Sequence, residues 1–477
     1  MFFERFFEPG LAQVSYLIGC ERAHEAIVID PHRDVDIYLR AAGEQGARIT
    51  HVTETHIHAD FISGARELAS RTGATVHVSD ADATFRYAFR DDPGIARLVG
   101  GDRLEIGRVR LDVRHTPGHT PEHLSFLVTD TASATAPMGM LTGDFLFVGD
   151  VGRPDLLETA VGVAGTREPS ARALYASLRA LADLPDWLQI WPGHGAGSAC
   201  GKGISALPQS TLGYERRFNS AFREKDETTF VRHVLEGQPE APRYFGVMKR
   251  VNQQGPRVLG ALPVPARGPQ LAIENGGRHP VVVDARSTSA FGAGHARGTI
   301  NIPFGETFVN WAGALLPYDR DLAIIVEGTG ERAQHMATLA ARALALIGLD
   351  RLTGFFDEDS LDAWASSGQG LQVTPQIGAH DLAESLKHGG VTLVDVRTEA
   401  EYSAAHIPGA RQIALPHLVE ALASLPRQRP LVMQCQSGGR AGIAASLLQA
   451  QGVDRVINFS GGIVEWTRAG LPVERAS

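Results

Sequence analysis

Cysteine is scarce in this sequence, long apolar runs are missing, and basic residues do not outnumber acidic ones. The 477 residues include only Cys20, Cys200 and Cys435, which excludes a disulfide framework and leaves one thiol unpaired. No run approaches the roughly 20 apolar residues of a membrane span, and MFFERFFEPG at the N-terminus lacks a signal-peptide pattern. The formal charge of −9 argues against nucleic acid as a partner. We therefore expect a cytoplasmic protein with free thiols, bound neither to a membrane nor to nucleic acid.

What is present indicates several α/β domains. The length suggests about three domains. Short apolar runs alternate with amphipathic stretches over residues 1–250, and the Pro- and Gly-rich segment 253–269 is typical of a connection between domains. The prediction is an α/β multidomain protein with domains at 1–250, 270–370 and 375–477.

An internal repeat occupies the C-terminal half. Residues 279–303 match 391–416, and both segments contain a strand, Asp-x-Arg, a helix, a histidine, small residues and a second strand. Residues 322–344 match 430–452 in the same way, with a buried strand, a glycine-rich turn, an arginine and a helix. Each copy is therefore expected to be an α/β unit of about 100 residues with a mainly parallel sheet.

The N-terminal half carries four motifs in which histidine or aspartate follows an apolar strand. Such strand ends are where an α/β scaffold exposes metal ligands. A single histidine there is usually structural, but four ordered motifs together predict a metal centre. In the first motif, the two histidines at i and i+2 of an extended segment are expected to point to one side. The residues are His56, His58 and Asp60 in THIHADF, His119 in TPGHT, Asp144 in TGD and His194 in WPGHG.

These motifs resemble the metallo-β-lactamase superfold, an αββα sandwich, over residues 1–250. The resemblance implies a first ion held by His56, His119 and Asp144. Two-metal hydrolases of this fold contain H-x-H-x-D-H, whereas this chain has Phe61 at the last position. A phenyl ring donates no lone pair, so we expect a single ion.

The remaining polar residues of these motifs are expected to act around the metal ligands. His58 is either a fourth ligand or, as we prefer, a hydrogen-bonding neighbour of the ligands. Asp60 and His194 are expected to orient water or ligands.

A narrower resemblance concerns persulfide dioxygenases of the ethylmalonic-encephalopathy protein type, in the bacterial form fused to rhodanese domains. It depends on THIHADF, on GDFLFVGDVGRPDL at 143–156 and on PGHGAGSACGK at 192–202. Two histidines and one carboxylate with open positions form the facial triad of non-haem Fe(II) oxygenases. The resemblance implies one Fe(II) per chain and oxidation of a persulfide, R–S–SH, by O₂ to sulfite and R–SH.

Two further residues of this half are candidates for substrate binding. Arg153, in a turn with Asp155, either holds a substrate carboxylate or forms an ion pair that stabilises the turn. Cys200 lies six residues after His194 and either contacts substrate sulfur or only fills space. Cys20 ends an apolar run, and we expect it to pack in the core.

The third cysteine opens a loop suited to sulfur chemistry. Cys435 follows the apolar PLVMQ and precedes a helix, so backbone N–H groups and a helix N-terminus would converge on its sulfur. Such a nest lowers a thiol pKa, and an arginine adds positive charge at the end of the loop. The expected substrate-binding residues of the loop are Gln436, Ser437, Gly438, Gly439 and Arg440.

This loop resembles that of rhodaneses, and the resemblance covers residues 375–477. Four residues separate Cys435 from Arg440, as in sulfurtransferases, whereas cysteine phosphatases have a wider loop. Cys435 would accept a sulfane sulfur as Cys–S–SH. In the first repeat copy, Glu327 stands at the position of Cys435 and Arg332 at that of Arg440. That copy, at 270–370, is expected to be a rhodanese-homology domain without the catalytic cysteine, with a structural or docking role.

Together these features predict an iron persulfide dioxygenase coupled to a sulfurtransferase that moves sulfane sulfur between persulfide, sulfite and thiosulfate, and so detoxifies sulfide. The expected partners are O₂, sulfite or thiosulfate, and a persulfide of glutathione, coenzyme A or a similar thiol. A homo-oligomer is possible. Two alternatives stay open: a dinuclear zinc thioester hydrolase of the glyoxalase II kind fused to rhodaneses, and a non-enzymatic sulfur carrier or regulator.

Overall fold

The computed structural model describes residues 1–273 and 280–475. Residue 279, where the first repeat segment begins, and residues 476–477 at the end of the last predicted domain lie outside the described residues. The chain divides into two compact units, Met1–Leu262 with Ala345–Gly348, and Pro263–Leu344 with Leu349–Ser477. The division of the chain into three domains stays a prediction.

Two six-stranded sheets form the centre of the first unit. In the first sheet, β1 to β6 lie in chain order, and the pairs from β3 onward are parallel. In the second sheet the order is β12-β11-β10-β9-β8-β7, and only β10 and β11 pair in parallel. The strands are β1 (Phe2–Glu8), β2 (Gln13–Cys20), β3 (Glu25–Ile29), β4 (Arg48–Thr53), β5 (Thr75–Ser79), β6 (Ile95–Leu98), β7 (Arg103–Ile106), β8 (Val109–His115), β9 (Leu124–Asp130), β10 (Gly139–Gly143), β11 (Gln189–Pro192) and β12 (Ser210–Thr211).

Helices cover the outer faces of both sheets, so the unit has αββα layers. Strand β2 is buried on both faces: Leu17 packs toward the helices, whereas Tyr16 and Ile18 join the core between the sheets. This alternation follows from the two-residue period of a strand. The helices are α1 (Asp36–Glu44), α2 (Ala65–Thr72), α3 (Leu156–Thr159), α4 (Arg167–Arg179), α5 (Leu212–Phe218), α6 (Ser220–Arg223), α7 (Glu227–Leu235) and α8 (Phe245–Gln254).

The second unit contains two parallel sheets, as the repeat predicted. Their strand orders are β14-β13-β15-β16 and β17-β21-β20-β18-β19. The strands are β13 (Val281–Asp284), β14 (Ile300–Asn301), β15 (Leu322–Ile325), β16 (Leu352–Phe356), β17 (Gln376–Ile377), β18 (Thr392–Asp395), β19 (Arg411–Gln412), β20 (Leu431–Gln434) and β21 (Val456–Phe459). The helices are α9 (Thr288–Ala293), α10 (Phe308–Leu315), α11 (Gly330–Leu346), α12 (Glu358–Trp364), α13 (Ala379–Lys387), α14 (Glu399–Ala404), α15 (Gly439–Ala450) and α16 (Gly462–Arg468).

The Asp-x-Arg motif has the same geometry in both repeat copies. Asp284 ends β13 and Asp395 ends β18, and each is fully buried. The guanidinium of Arg286 and that of Arg397 each donate through Nη2 to the neighbouring aspartate Oδ2 at 2.6 Å. A buried carboxylate requires such a partner. Each guanidinium also donates to the carbonyl at the end of the following helix, that of Gly294 or Ala405, so the motif ties the strand end to that helix in each copy.

Membrane-spanning helices were sought in the part of the chain that the structure describes. None of its helices is both long enough and apolar enough to cross a bilayer.

Candidate functional site

The predicted metal motifs lie just beyond the carboxyl ends of strands from both sheets of the first unit. His56 follows β4, His119 follows β8, Asp144 directly follows β10, and His194 follows β11. Gly143 makes the close turn before Asp144, with φ of +48° and room for no Cβ, which would lie 2.5 Å from Thr55 Oγ1. The sandwich therefore brings distant sequence segments to one edge.

Three of these side chains direct one donor atom each to a common point. Asp144 Oδ2 lies 3.9 Å from His56 Nε2 and 3.6 Å from His119 Nε2. All three ligand atoms lie within 4.8 Å of one another. The three residues are buried, so water does not screen the charge of the carboxylate.

Hydrogen bonds at the far side of each imidazole leave the Nε2 lone pairs free. Thr55 Oγ1 donates to Asp30 Oδ2 at 2.8 Å, so it accepts from His56 Nδ1 at 2.9 Å. His119 Nδ1 donates to the Arg153 carbonyl at 3.0 Å. Burial lowers the pKa of His119 and lowers that of His56 well below its usual value. Both rings are therefore neutral, which is the form that binds a metal.

Asp144 presents one oxygen that has no hydrogen-bond partner among the described residues. Its Oδ1 accepts from His194 Nδ1 at 2.7 Å, whereas its Oδ2 is buried and unpartnered. Burial would raise the pKa of Asp144, but the His194 charge outweighs it and lowers the pKa. An ionised, unpaired oxygen in a buried site needs a cation. Two imidazole nitrogens and this oxygen fit a transition-metal ion.

His194 connects the metal centre to a second acidic residue. Its Nδ1 donates to Asp144 and its Nε2 donates to Asp60 Oδ2, both at 2.7 Å. Burial would lower the pKa of His194, but the two carboxylates raise it to about 10. The Cys200 sulfur lies within 4.8 Å of the ligand atoms of Asp60 and His194. Burial raises the pKa of the Cys200 thiol well above its usual value. Cys200 is therefore a neutral thiol next to an imidazolium.

His58 belongs to a different cluster from His56. Strand β4 ends at Thr53, so the two histidines do not lie on an extended strand as the spacing predicted. His58 Nε2 is 3.0 Å from Asp30 Oδ1 and 2.9 Å from Glu54 Oε2. The ring of Phe61 is fully buried and packs 4.4 Å from the His58 ring. His58 thus contacts carboxylates instead of the three converging ligand atoms.

The Cys435 loop lies between β20 and α15 in the second unit. The Gly438 backbone N–H donates to Cys435 Sγ at 3.1 Å, and Cys435 is 1% exposed. Gly438 has φ of +92°, and a Cβ there would lie 1.9 Å from the Ser460 carbonyl oxygen. The loop therefore requires glycine at this position. Of the other predicted loop residues, Gln436, Ser437 and Gly439 are exposed.

Arg440 forms an ion pair that the sequence did not reveal. Its Nη1 and Nη2 donate to Glu401 Oε2 and Oε1 at 2.8 and 2.6 Å. Burial would raise the pKa of Glu401, but the Arg440 guanidinium lowers it to about 2. The Glu401 carboxylate thus neutralises the positive charge of Arg440, which we had expected to bind an anionic substrate.

The corresponding loop of the first repeat copy is an exposed surface turn. Glu327 and Arg332 are exposed, and Gly328 has φ of +84°. Ala290 occupies the position in α9 that Glu401 occupies in α14. This loop therefore lacks both the nucleophile and the partner carboxylate.

Comparisons with known proteins agree with the two kinds of site. The metallo-beta-lactamase superfamily model matches residues 9–194, and the rhodanese-like domain model matches residues 378–469. The crystal structure of a metallo-beta-lactamase from Staphylococcus aureus subsp. aureus COL is 44% identical, with a TM-score of 0.68. That alignment covers 75% of this chain and 99% of the other.

The chain belongs to the metallo-beta-lactamase superfamily. It carries a C-terminal rhodanese-like domain, which is 41% identical over 83 residues to a sulfurtransferase of Allochromatium vinosum. That alignment covers 17% of this chain and 78% of the relative. The rhodanese model matches the second repeat copy, so a rhodanese fold for the first copy stays a prediction.

Two relatives of the metallo-β-lactamase domain have different recorded activities. A probable metallo-hydrolase of Burkholderia pseudomallei and a mitochondrial persulfide dioxygenase of Mus musculus are each 29% identical. The first alignment covers 55% of this chain and 94% of the relative, and the second covers 45% and 72%. The domain is thus a metallo-enzyme related to both hydrolases and dioxygenases.

Arg153 of the metallo-β-lactamase domain is already paired. Its guanidinium is 1% exposed and donates to Asp155 Oδ1 and Oδ2 at 2.8 and 2.7 Å. Its Nη1 also donates to the Ala199 carbonyl at 3.3 Å. A substrate carboxylate would have to displace Asp155, so the geometry favours the turn-stabilising ion pair over substrate binding.

His123 also supports the metal centre, although it was not predicted from the sequence. Its Nε2 accepts from the Asp144 backbone N–H at 3.1 Å, and its ring stacks 5.1 Å from His56. Burial lowers its pKa well below the usual value, which keeps Nε2 an acceptor. Its place four residues after His119 in TPGHTPEH was a usable signal.

Helix α8 also supports the metal motif, and no local pattern indicated this. Asn252 Nδ2 donates to the His58 and Phe61 carbonyls at 2.9 and 2.7 Å, and its Oδ1 accepts from the Ser63 N–H at 3.0 Å. Lys249 Nζ donates to the Ile57 carbonyl at 3.0 Å. These contacts join residues about 190 positions apart, which is beyond the range of any motif.

Proposed function

We propose that this protein is a mononuclear iron persulfide dioxygenase coupled to a sulfurtransferase. His56, His119 and Asp144 would hold one Fe(II), and Cys435 would carry sulfane sulfur. The substrates would be a low-molecular-weight persulfide and O₂, and the products sulfite and the free thiol. Together the two reactions would remove persulfides derived from sulfide.

The bonding of His194 is the observation that carries this proposal. Asp60, His194 and Cys200 lie close enough together to hold an ion. Both ring nitrogens of His194 lie 2.7 Å from carboxylate oxygens, and in the imidazolium that these carboxylates favour neither nitrogen would offer a lone pair to a second ion. Phe61 stands where the two-metal hydrolases of this fold have a histidine, and its ring packs 4.4 Å from the ring of His58. A single ion held by two histidines and a carboxylate is typical of oxygen-activating iron centres. Two ions about 3.5–4 Å apart are typical of hydrolases.

The residues around the three ligands would fix their geometry. His194 holds Asp144 Oδ1, and this turns Oδ2 toward the two Nε2 atoms. His123 holds the Asp144 backbone, and the Arg153 carbonyl sets the ring of His119. When bound, Fe(II) supplies the electrons that activate O₂, which no side chain of this pocket provides.

The Cys435 loop would perform the sulfur transfer. The Cys435 thiolate would attack the sulfane sulfur of thiosulfate, whose S–S bond breaks as sulfite leaves with the electron pair. The reverse step would transfer sulfur from Cys435–S–S⁻ to sulfite. The Gly438 N–H, 3.1 Å from Sγ, would stabilise the anionic sulfur in either direction. Sulfite from the iron centre is an acceptor here, so fusion raises its local concentration.

The proposal is tested by oxygen uptake. Iron-loaded protein should consume O₂ and release sulfite when it receives glutathione persulfide or coenzyme A persulfide, and the His119→Ala variant should lose this activity. Replacing exposed His388 by alanine provides the control. If the loaded protein consumes no O₂ with either persulfide, the dioxygenase assignment is wrong.

A dinuclear zinc hydrolase is the main alternative, and the metallo-hydrolase relative favours it. Metal analysis separates the two candidates. Two zinc ions per chain together with thioester hydrolysis would establish the hydrolase. A non-enzymatic sulfur carrier is a further alternative, and it predicts that Cys435→Ser changes no turnover.

A further inference from the structure

A groove of about 670 Å³ lies beside the Cys435 loop, and both repeat copies of the second unit line it. Helix α9 of the first copy contributes Thr288 and Ser289. The second copy contributes Ser437 and Gly438 of the loop and Asn458 of β21. The corresponding loop of the first copy has Glu327 in place of the cysteine, yet this copy forms one wall of the groove, opposite residues of the Cys435 loop.

Contact between two helices brings this wall close to the loop. A Cβ at Gly442 of α15 would lie 2.1 Å from Thr288 Cγ2. Helix α9 therefore packs directly on α15, the helix that begins at the Cys435 loop. Glycine at this position permits the approach, since any side chain would push α9 away.

The groove presents hydrogen-bonding groups that carry no charge. Its described lining residues have hydroxyl or carboxamide side chains, or are glycine or alanine. A site for a phosphate or a carboxylate would contain arginine or lysine. This lining suits amide N–H and C=O groups instead.

Asn458 provides a buried acceptor without a partner in the described structure. It is 2% exposed, and its Nδ2 donates to Gln376 Oε1 at 3.0 Å. No hydrogen bond reaches its Oδ1 from the described residues. A buried acceptor without a donor is unfavourable. An amide N–H of a ligand would satisfy it once the Asn458 side chain turns toward the groove that this residue lines.

We propose that this groove binds the amide-containing arm of the thiol carrier that exchanges sulfane sulfur with Cys435. The inference rests on the proposed sulfurtransferase function and names its substrate class, a thiol joined to a chain of secondary amides. The carrier thiolate, R–S⁻, attacks the outer sulfur of Cys435–S–SH and forms R–S–SH. The S–S bond at Cys435 breaks, and Cys435 leaves as the thiolate, so no oxidant or reductant is needed.

A series of acceptor thiols tests the inference in the full-length protein. Cys435 is loaded from thiosulfate, and KM is measured for 2-mercaptoethanol, N-acetylcysteamine, pantetheine and glutathione. We expect KM to fall roughly threefold to tenfold with each added amide, as one retained hydrogen bond would produce. A lower KM for pantetheine than for glutathione would identify a pantetheine arm as the ligand, and the reverse order a peptide.

Two variants of the groove should weaken this dependence. We expect Asn458→Leu and Ser289→Ala each to raise KM for the better amide thiol by roughly threefold or more, with little change for 2-mercaptoethanol. Ser366→Ala is the matched control, since Ser366 is exposed in the first copy and does not line the groove. The inference is overturned if KM does not depend on amide number, or if neither groove variant changes it.

A binding measurement separates this inference from the proposed function. Calorimetry with the unreactive S-methyl derivatives of pantetheine and glutathione detects the groove without sulfur transfer. If either derivative binds and Ser289→Ala weakens binding, while thiosulfate adds no sulfur to Cys435, the groove is an amide site and the sulfurtransferase assignment fails. If sulfur is added to Cys435 but neither derivative binds, the groove inference fails alone.

Discussion

At the Cys435 loop, Glu401 holds the Arg440 guanidinium through two hydrogen bonds of 2.8 and 2.6 Å. The same carboxylate accepts from the Thr398 N–H and hydroxyl and forms the capping box of α14. Its pKa of about 2, against an ordinary 4.5, means that the ion pair persists at neutral pH. The stability it contributes is present above the ordinary pKa and is lost as the pH falls toward about 2.

Freeing Arg440 should strengthen the binding of a dianionic sulfur donor. In Glu401→Gln the capping box is retained, because glutamine accepts the same bonds, but the guanidinium loses its carboxylate partner. We expect KM for thiosulfate to fall roughly threefold to tenfold in steady-state assays, since a competing charge is removed. Glu384→Gln, at an exposed ion pair with Lys387, is the control. A higher KM in Glu401→Gln would mean that Glu401 positions Arg440 for substrate.

A second residue-scale prediction concerns the turn at Gly438. Gly438→Ala combines φ of +92° with a Cβ 1.9 Å from the Ser460 carbonyl, so the loop must move. We expect thiosulfate to load Cys435 at least tenfold more slowly, as followed by intact-protein mass spectrometry. Gly452→Ala is a matched control, since its φ is +79° and no atom lies near its would-be Cβ. Equal losses in both variants would show that backbone strain alone is responsible.

Among the elements, α8 holds the metal motif in place from a distant part of the sequence. Asn252 bonds three backbone groups of the segment that follows β4, and Lys249 bonds a fourth. This segment has no strand or helix of its own to satisfy those groups. A buried backbone group without a partner is costly, so α8 replaces the ladder that a strand would have provided.

Removing this support should loosen the segment before it unfolds the protein. Asn252→Ala leaves two carbonyls and one N–H without partners, at a cost of about 1–3 kcal/mol each. We expect hydrogen–deuterium exchange in peptides covering residues 56–64 to accelerate at least tenfold. Gln254→Ala, at an exposed position of the same helix, should leave this exchange unchanged. Acceleration confined to other segments would contradict the assigned role of α8.

For the whole molecule, the two candidate chemistries lie in different compact units. The converging metal ligands all belong to the first unit, and the Cys435 loop belongs to the second. The two activities are therefore expected to be separable by chemistry as well as by mutation.

Metal removal should separate them. Treatment with a strong chelator should abolish O₂ uptake, because it would remove the ion that we propose binds Asp144 Oδ2, the oxygen without a hydrogen-bond partner. We expect the rate at which thiosulfate loads Cys435 to stay within twofold of the untreated rate. Restoring Fe(II) should restore O₂ uptake, which controls for irreversible unfolding. Loss of sulfur loading on chelation would show that the second unit depends on the metal.

Several features of this protein depend on local pattern and could be predicted before the chain was seen folded. Strand alternation, the repeat, the order of the histidine and aspartate motifs, and the glycine-rich cysteine loop all follow from residues close in sequence. The two parallel sheets of the second unit and the metallo-β-lactamase fold agree with those patterns. The absence of a histidine at Phe61 was likewise readable without coordinates.

The pairing of side chains from distant segments could be established only from the folded chain. The spacing of His56 and His58 suggested one shared site, yet the His58 ring forms ion pairs with Asp30 and Glu54 instead. Arg440 looked free in sequence, but Glu401 approaches it from 39 residues earlier. These ion pairs form between residues that the packing of strands and helices brings together. A buried charge without a partner would raise the free energy of the folded state, so each buried charge is paired with an opposite one. The spacing of residues in the sequence does not show which charges become buried, so these pairs could not be predicted from it.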